Sequence, residues 1–221
     1  MRKLLYVLVL VVLATSVMAG GMGVSVKGGT LGFGADVGIG VVDMLSLRLG
    51  FSKFSIGESF NDEDTDDLEG VDELKFEINL ESINALVDFY PFKGAFRITA
   101  GMLINNNEFT AEATSDERID INGVEYRVER ADGLVSWSDM APYVGIGGGN
   151  VASGGKWHWG WDLGVMFQGS PEIELTATAS NAQLQQLLNQ DIEEEVKQLE
   201  EDAESFNMYP VATISFGYRF F

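Results

Sequence analysis

The chain has 221 residues and carries 14 lysines and arginines against 34 aspartates and glutamates, a formal net charge of −20. This excess of acid excludes nucleic-acid binding, because contacts to phosphates need basic patches. The length is enough for one domain, and the absence of cysteine excludes disulfides and a lipidated cysteine behind a signal sequence.

Residues 1–19 have the pattern of a cleaved secretory signal peptide. Arg2 and Lys3 supply the charged start, and Val17 and Ala19 stand at the −3 and −1 positions of a cleavage site. The apolar run over 4–13 is about half the ~20 residues that a spanning helix needs. We predict cleavage after Ala19, which leaves 20–221 as one barrel domain; a retained membrane anchor is the alternative.

The mature chain contains seven segments in which apolar and polar residues alternate, as in strands with one apolar face. An even strand number is expected for a bacterial barrel, so we predict an eighth strand over 22–28; the alternative divides the long strand at 169–171. The seven segments are 30–40, 45–54, 83–89, 96–104, 140–148, 157–167 and 210–221.

A closed barrel explains this pattern better than a secreted β-sandwich. The apolar positions are Leu, Phe, Ile, Val and Trp, and their alternates are Gly, Ser, Asp and Arg, which suits a lipid-facing exterior and a polar lumen. Inside lipid every backbone N–H needs a partner, so such strands must close on themselves. We predict an all-β fold, a closed antiparallel transmembrane β-barrel of about eight strands.

The connections fall into two length classes. We expect the short turns in the periplasm and the long loops outside the cell. Residues 101–113 resemble 164–177, and both are predicted to be strands that continue beyond the membrane, the second bent at 169–171. Asn122 and Gly123 predict a hairpin within the second long loop. The short turns are 42–43, 91–94 and 149–156, and the long loops are 55–73, 105–135 and 180–209.

Two segments concentrate the negative charge. Residues 58–73 hold nine acids and no base, and 191–204 hold eight acids and one lysine, which predicts solvated, self-repelling surface loops. A sharper hypothesis is a calcium loop, because one set of acids has the spacing of such ligands, although Asp67 stands where that motif needs glycine. Its ligands would be Asp62, Asp64, Asp66 and Glu73.

The predicted inward faces carry charges of both signs. An eight-stranded barrel is only wide enough for its own side chains, and an unpaired buried charge is costly, so we predict that these groups neutralise one another and plug the lumen. The alternative is a charged ion pathway through a wider barrel. The predicted network comprises Asp36, Arg48, Asp88, Arg97, Asp162 and Arg219.

His158 is the single histidine and shares the predicted inward face with Asp162. Such a pair suggests a general base, but no serine stands at the spacing of the lipid-modifying families. We therefore predict a structural lumen histidine and no catalytic residue.

Residues 181–206 predict an amphipathic helix inserted before the last strand. Apolar residues recur there at three- and four-residue steps from Leu184 to Phe206 and form one stripe. We expect the stripe to pack over the barrel mouth or the other loops, or else to dock a partner.

Aromatic residues mark the predicted membrane interfaces and the C-terminus. The last strand resembles the signal that outer-membrane barrels present to their insertion machinery, with Phe216, Tyr218, Phe220 and Phe221 as its aromatic positions. Further aromatics predict the interfacial girdles. These are Trp137, Tyr143, Trp157, Trp159 and Tyr209, together with Phe220 and Phe221.

Three short segments carry a family resemblance. Residues 141–149, 167–171 and 209–221 are similar to phrases in small outer-membrane barrel proteins of the OmpA-type and OmpW-type group, and to an uncharacterised proteobacterial outer-membrane family. The group includes structural anchors, adhesins and small-solute pores, so the resemblance implies a barrel without implying one role or any catalytic residue.

We therefore expect a non-enzymatic, integral protein of the Gram-negative outer membrane with acidic surface loops and a structural or surface-interaction role. The first alternative is a narrow pore for small solutes or cations, and the second is a lipid- or peptide-modifying enzyme. No cofactor is expected. The expected partners are outer-membrane lipid and lipopolysaccharide, the barrel-insertion machinery during biogenesis, and divalent cations.

Overall fold

The computed structural model describes residues 21–61, 73–114, 118–121, 124–150, 155–179 and 182–220. Within these ranges the chain forms twelve strands, one long helix and one short 3₁₀ turn. The strands are β1 (Met22–Gly29), β2 (Gly32–Val42), β3 (Leu45–Asn61), β4 (Glu73–Phe89), β5 (Arg97–Asn105), β6 (Glu108–Thr114), β7 (Arg118–Ile121), β8 (Val124–Ser136), β9 (Met140–Gly148), β10 (Trp157–Phe167), β11 (Glu172–Ala179) and β12 (Met208–Arg219). The helix α1 (Ala182–Ala203) and the 3₁₀ turn Glu204–Phe206 lie between β11 and β12.

Eight antiparallel strands close into a ring in the order β1, β2, β3, β4, β5, β9, β10 and β12, with β12 pairing back to β1. The prediction of a closed barrel of about eight strands is confirmed. The strand predicted over 22–28 is β1, in which Val26 stands opposite Ala35 on one side and Phe216 on the other.

A second, open sheet continues from one side of the ring. The distal halves of β3 and β4 pair onward to β6, β8 and β11, and β7 forms a hairpin with β8. The chain passes from ring to open sheet through three interruptions at 106–107, 137–139 and 168–171. The third contains Gly169, whose φ of +77° favours glycine because it has no Cβ.

The long strands predicted over 101–113 and 164–177 are each divided at an interruption, into β5 and β6 and into β10 and β11, and the open sheet corrects the loop boundaries. Residues 55–61 belong to β3, and most of 105–135 belongs to β6, β7 and β8, so these ranges are mainly strand where loops were predicted. Ile121 pairs with Val124 as the predicted hairpin requires, while Asn122 and Gly123 themselves lie outside the described residues.

The apolar and polar faces exchange sides between the ring and the open sheet. In the ring part of β3, Phe51 points outward and is exposed, whereas Arg48 and Ser52 point inward and are buried. Successive side chains of a strand alternate between faces, so beyond Ser52 the outward positions become polar and the inward positions apolar. The outward set there is Lys53, Ser55, Gly57 and Ser59, and the inward set includes Phe54, Ile56 and Phe60.

Neighbouring strands make the same exchange at the same level. The last outward apolar residues of β3, β4, β5 and β9 stand directly opposite one another in the ladder: Phe51, Ile83, Ile104 and Met140. Beyond that line the outward positions include Glu81, Glu77, Glu108, Glu112, Asp132, Glu172 and Glu174. A level boundary of this kind separates an apolar belt from a polar extension.

Helix α1 covers part of the inward apolar face of the open sheet. Leu188 is fully buried, and Ile192 packs with it against Ala131, Leu175 and Ala177. The predicted helix over 181–206 is confirmed as α1 followed by the 3₁₀ turn. Among the described residues, no helix combines the length and the apolarity that crossing a membrane requires.

Candidate functional site

The centre of the ring lumen holds a cluster of buried charges around Arg48. Its guanidinium donates two hydrogen bonds to the carboxylate of Asp162, at 2.8 and 3.0 Å, and one to Asp88 at 3.1 Å. The paired donors fit the fork geometry of an arginine–carboxylate bond, which is stronger and more directional than a single contact. Arg48 therefore joins β3, β4 and β10 across the lumen.

Arg97 closes the same cluster toward the end of the barrel that carries the short turns. Its Nη2 donates to Asp162 at 2.9 Å, and its Nη1 donates to the carbonyl oxygens of Gly148 and Gly149. Thr99 donates to Asp88 at 2.7 Å, so that carboxylate also has a neutral partner. These bonds fix the start of the glycine-rich turn over the lumen.

The third positive charge of the cluster is Lys27. Its ammonium lies 2.7 Å from Asp36 and donates to Asn84, also at 2.7 Å, while Asn84 donates to Asp36 at 3.2 Å. Three bases and three acids thus meet in the lumen, which satisfies the requirement that buried charges be paired.

The structure brings together five of the six predicted network residues and leaves out Arg219. Its backbone N–H donates to the carbonyl oxygen of Lys156 at 2.7 Å, and no carboxylate of the described residues lies within ion-pair distance of its side chain. The prediction that Arg219 forms ion pairs in this network is therefore wrong. Lys27 takes its place, because it lies on the inward face of β1 two residues beyond Ser25, which pairs with Asp36 in the ladder.

Small residues opposite the charged ones make the cluster fit within the ring. A Cβ on Gly50 would overlap the Asp36 carboxylate and would lie 2.5 Å from the carbonyl oxygen of Ala35. Likewise, a Cβ on Gly164 would lie 2.5 Å from the Tyr143 hydroxyl. The glycines of the inward face therefore leave the space that larger side chains fill.

An apolar layer lies on the side of the cluster facing the open sheet. It consists of Leu31, Leu86, Leu103, Ala141, Tyr143, Met166 and Val211, all buried. Between this layer and the charged cluster is a cavity of about 30 Å³, lined by Lys27, Arg48 and Asp162 among others. That volume holds about one water, so the described lumen side chains leave no wide passage there.

The aromatic positions divide between the two faces. Trp157 and Trp159 lie on the outer face, where Trp159 is 71% exposed and Trp157 stacks on Phe216 at 5.3 Å. The girdle prediction is wrong for Tyr143 and Tyr209. Tyr143 is buried in the apolar layer, and Tyr209 donates a hydrogen bond to the Thr30 carbonyl.

The structure also places Trp137 and most of the C-terminal aromatic residues. Trp137 packs edge-on against Phe109 at the mouth of the ring and is only partly exposed, so its assignment to a girdle is corrected as well. Phe216 and Tyr218 lie within the last four residues of β12, Phe220 directly follows the strand, and Phe221 lies outside the described residues. Their role as an insertion signal stays a prediction.

The pair suggested by His158 and Asp162 does not form a catalytic arrangement. Both oxygens of Asp162 bind arginines, and Nδ1 of His158 is buried without a hydrogen-bond partner. A general base needs an orienting partner, and Asp162 does not supply one.

The structure describes one of the four predicted calcium ligands. Asp62, Asp64 and Asp66 lie outside the described residues, and Glu73 pairs with Lys75 at 3.1 Å. Across the described ranges, no three candidate metal ligands come together. The loop stays a prediction.

Solved structures share the architecture of this chain. The crystal structure of CarO2 from Acinetobacter baumannii aligns with a TM-score of 0.56 and 17% identity over 90% of this chain and 98% of that one. CarO from the same organism aligns with a TM-score of 0.55 and 18% identity over the same shares. This is the fold of an outer-membrane β-barrel. At this identity the likeness establishes the fold alone.

A more distant structure is a major outer membrane protein from Thermus thermophilus, with a TM-score of 0.41 and 15% identity over 90% of this chain and 99% of that one. Its TM-score is too low to support an inference. No protein-family model matches the sequence, and no curated protein matches it significantly. The OmpA-type and OmpW-type resemblance therefore stays a prediction.

Proposed function

We propose that the protein is a non-enzymatic, integral protein of the Gram-negative outer membrane, in which a plugged barrel holds a sheet-and-helix unit outside the cell. The exchange of apolar and polar faces between ring and open sheet carries this proposal. The ring presents an apolar exterior, whereas the open sheet presents acids outward and packs α1 on its apolar side. Lipid around the ring and water around the open sheet account for both patterns.

The filled lumen favours an anchoring role of the barrel and argues against a pore. Buried charges that are paired at 2.7–3.1 Å cannot also bind ions passing through the lumen unless those pairs break. The apolar layer adds a second barrier, since a dehydrated constriction opposes ions. In this proposal the barrel is a rigid support, and contacts with the surroundings belong to the open sheet and α1.

The proposed partners follow from the same division. Outer-membrane lipid and lipopolysaccharide would contact the apolar belt, and the insertion machinery would bind the aromatic β12 during biogenesis. Divalent cations would bind the acidic segment that contains Asp62, Asp64 and Asp66.

Single-channel recording in planar bilayers tests the plugged lumen. We expect no reproducible conductance steps from the purified protein in KCl solution. As a positive control, the variant Arg48→Ala combined with Leu103→Ala removes one side chain from each layer. Steady steps from the unaltered protein, with uniform amplitude, would contradict the proposal and favour the narrow pore.

A further inference from the structure

A second cavity, of about 360 Å³, lies at the mouth of the ring between the open sheet and the end of α1. Its walls are largely apolar and include Phe109, Val135, Ile173 and Phe206. Phe206 is 65% exposed, so it forms part of an accessible rim. None of the residues that line this cavity is charged. We call it the mouth pocket.

Three polar residues in the wall of the mouth pocket lie at the three interruptions between ring and open sheet. Asn107 follows β5, Trp137 follows β8, and Gln168 follows β10. Each has one buried atom without a hydrogen-bond partner: Nδ2 of Asn107, Nε1 of Trp137 and Oε1 of Gln168. Asn107 and Gln168 are 3% and 4% exposed.

The two amides are held in place through their other atoms. Oδ1 of Asn107 accepts the backbone N–H of Glu81 at 3.1 Å, and Nε2 of Gln168 donates to the Phe206 carbonyl at 3.2 Å. Trp137 is fixed by its edge-on contact with Phe109, at a centroid distance of 5.1 Å. Folded proteins leave few buried polar atoms unpaired, so three around one cavity call for a physical explanation.

We propose that the mouth pocket binds a small, uncharged amphiphile with an apolar body and one hydroxyl or primary amide head. Asn107 and Trp137 would supply donors and Gln168 an acceptor after a small shift of the pocket wall, because these atoms are covered in this structure. The head group must therefore both accept and donate. A carboxylate or an ammonium does not fit, because the lining offers no opposite charge and a buried unpaired charge is costly. The volume lies within the range of small-molecule sites.

Fluorine NMR on the full protein in lipid nanodiscs tests this proposal. The chain has four tryptophans, so fluorotryptophan labelling gives few resonances, and Trp137→Phe assigns the one at the pocket. Hexanol and hexanamide are the probes, with hexanoate and hexylammonium as charged analogues of equal length. We expect the two uncharged probes to shift the Trp137 resonance saturably, and the charged analogues to bind at least about tenfold more weakly.

Ala203→Phe fills the pocket from α1, and Leu187→Phe, on an exposed part of the same helix, is the matched control. We expect the filled variant to lose the saturable shift and the control to keep it, with circular dichroism reporting that both retain the fold. The proposal is overturned if the resonance does not shift. It is also overturned if all four tryptophan resonances shift together, which indicates partition into lipid only, or if the charged analogues bind equally well.

Discussion

At the scale of single residues, the balance of charge in the lumen depends on Arg48, which contacts Asp162 and Asp88 and lies 3.8 Å from Asp36. Removing one partner of a buried ion pair leaves an uncompensated charge, whereas removing a matched pair does not. The cluster therefore makes a prediction about combinations of substitutions as well as about single ones.

We expect Arg48→Met to lower the free energy of unfolding by about 3–5 kcal/mol, because it leaves one net negative charge buried. Adding Asp162→Asn restores neutrality, so the double variant should be more stable than Arg48→Met alone. Urea unfolding in lipid vesicles measures both. The control is Lys53→Met, which breaks the exposed pair with Glu81 and should cost about 0–1 kcal/mol. A double variant less stable than Arg48→Met would show that the cluster is not held by charge balance.

Asp132 on the outward face of the open sheet gives a pH-dependent prediction. The hydrogen bond from Arg130, at 2.7–2.9 Å, lowers the pKa of the Asp132 carboxyl below its usual value. A carboxyl whose pKa is lowered by folding stabilises the fold above its unfolded pKa of about 3.9, and this contribution is lost as the pH falls through the folded pKa.

Carboxyl NMR titration of Asp132 checks this, and Arg130→Gln should raise the Asp132 pKa. High salt should also reduce the difference between the two proteins, because the pair is exposed. Equal Asp132 pKa values with and without Arg130 would contradict the assigned cause.

Residue patterns also show which parts of the lumen were predictable. The alternation of Val24 and Val26 with Ser25 and Lys27 carries enough information to place Lys27 inward, but β1 was inferred from strand parity without assigning its faces. The alternation along β12 also places Arg219 on the inward face. Its contacts depend on its height along the barrel, which alternation does not encode. Periodicity gives the face of a residue, whereas its partners depend on strand register.

At the scale of elements, α1 is attached to the open sheet through few of its described apolar side chains. Leu188 and Ile192 supply the buried contacts, aided by Val196, while Leu187 and Leu199 of the same helix are exposed. The two ends of the attachment are hydrogen-bonded, Gln185 to the Ala177 carbonyl at 2.8 Å and Glu200 to the Ile173 N–H at 3.3 Å. The described contacts that hold the helix in place are therefore those with the sheet.

We expect Leu188→Ala to destabilise the docked helix by about 2–5 kcal/mol, since it removes a fully buried side chain. Hydrogen exchange should quicken in 185–203 and stay unchanged in β1, β2 and β12 of the ring. Leu187→Ala, at an exposed position, should change exchange in neither region. Faster exchange across the ring in Leu188→Ala would mean that helix and barrel unfold together.

The boundaries of the long strands were less predictable than their existence. The similarity between 101–113 and 164–177 predicted two long strands, and the structure divides each of them into two strands. Residues 55–61, predicted as the start of a loop, belong to β3, and their apolar residues fall on the opposite face from those of 45–51. The exchange of faces follows if, as proposed, the ring part of the strand faces lipid and the rest belongs to the packed open sheet.

At the scale of the whole molecule, the line through Phe51, Ile83, Ile104 and Met140 divides two environments. On one side the exterior is apolar and the lumen polar, and on the other side the order is reversed. In the proposed membrane position, the acids Glu77, Glu112 and Glu174 face water, which is consistent with the strongly negative sequence. Membrane position, orientation and the exposed surface all depend on this line.

Cysteine labelling in intact cells tests the line most directly, because the chain has no cysteine of its own. Glu77→Cys and Ile83→Cys both point outward on β4, the first beyond the line and the second on the line, at the edge of the apolar belt, and Asp43→Cys lies in the turn between β2 and β3. With a membrane-impermeant maleimide, we expect Glu77→Cys to be labelled in intact cells, Ile83→Cys to stay unlabelled, and Asp43→Cys to react only after the outer membrane is permeabilised. Equal labelling of Glu77→Cys and Ile83→Cys would contradict the boundary, and labelling of Asp43→Cys alone in intact cells would contradict the orientation.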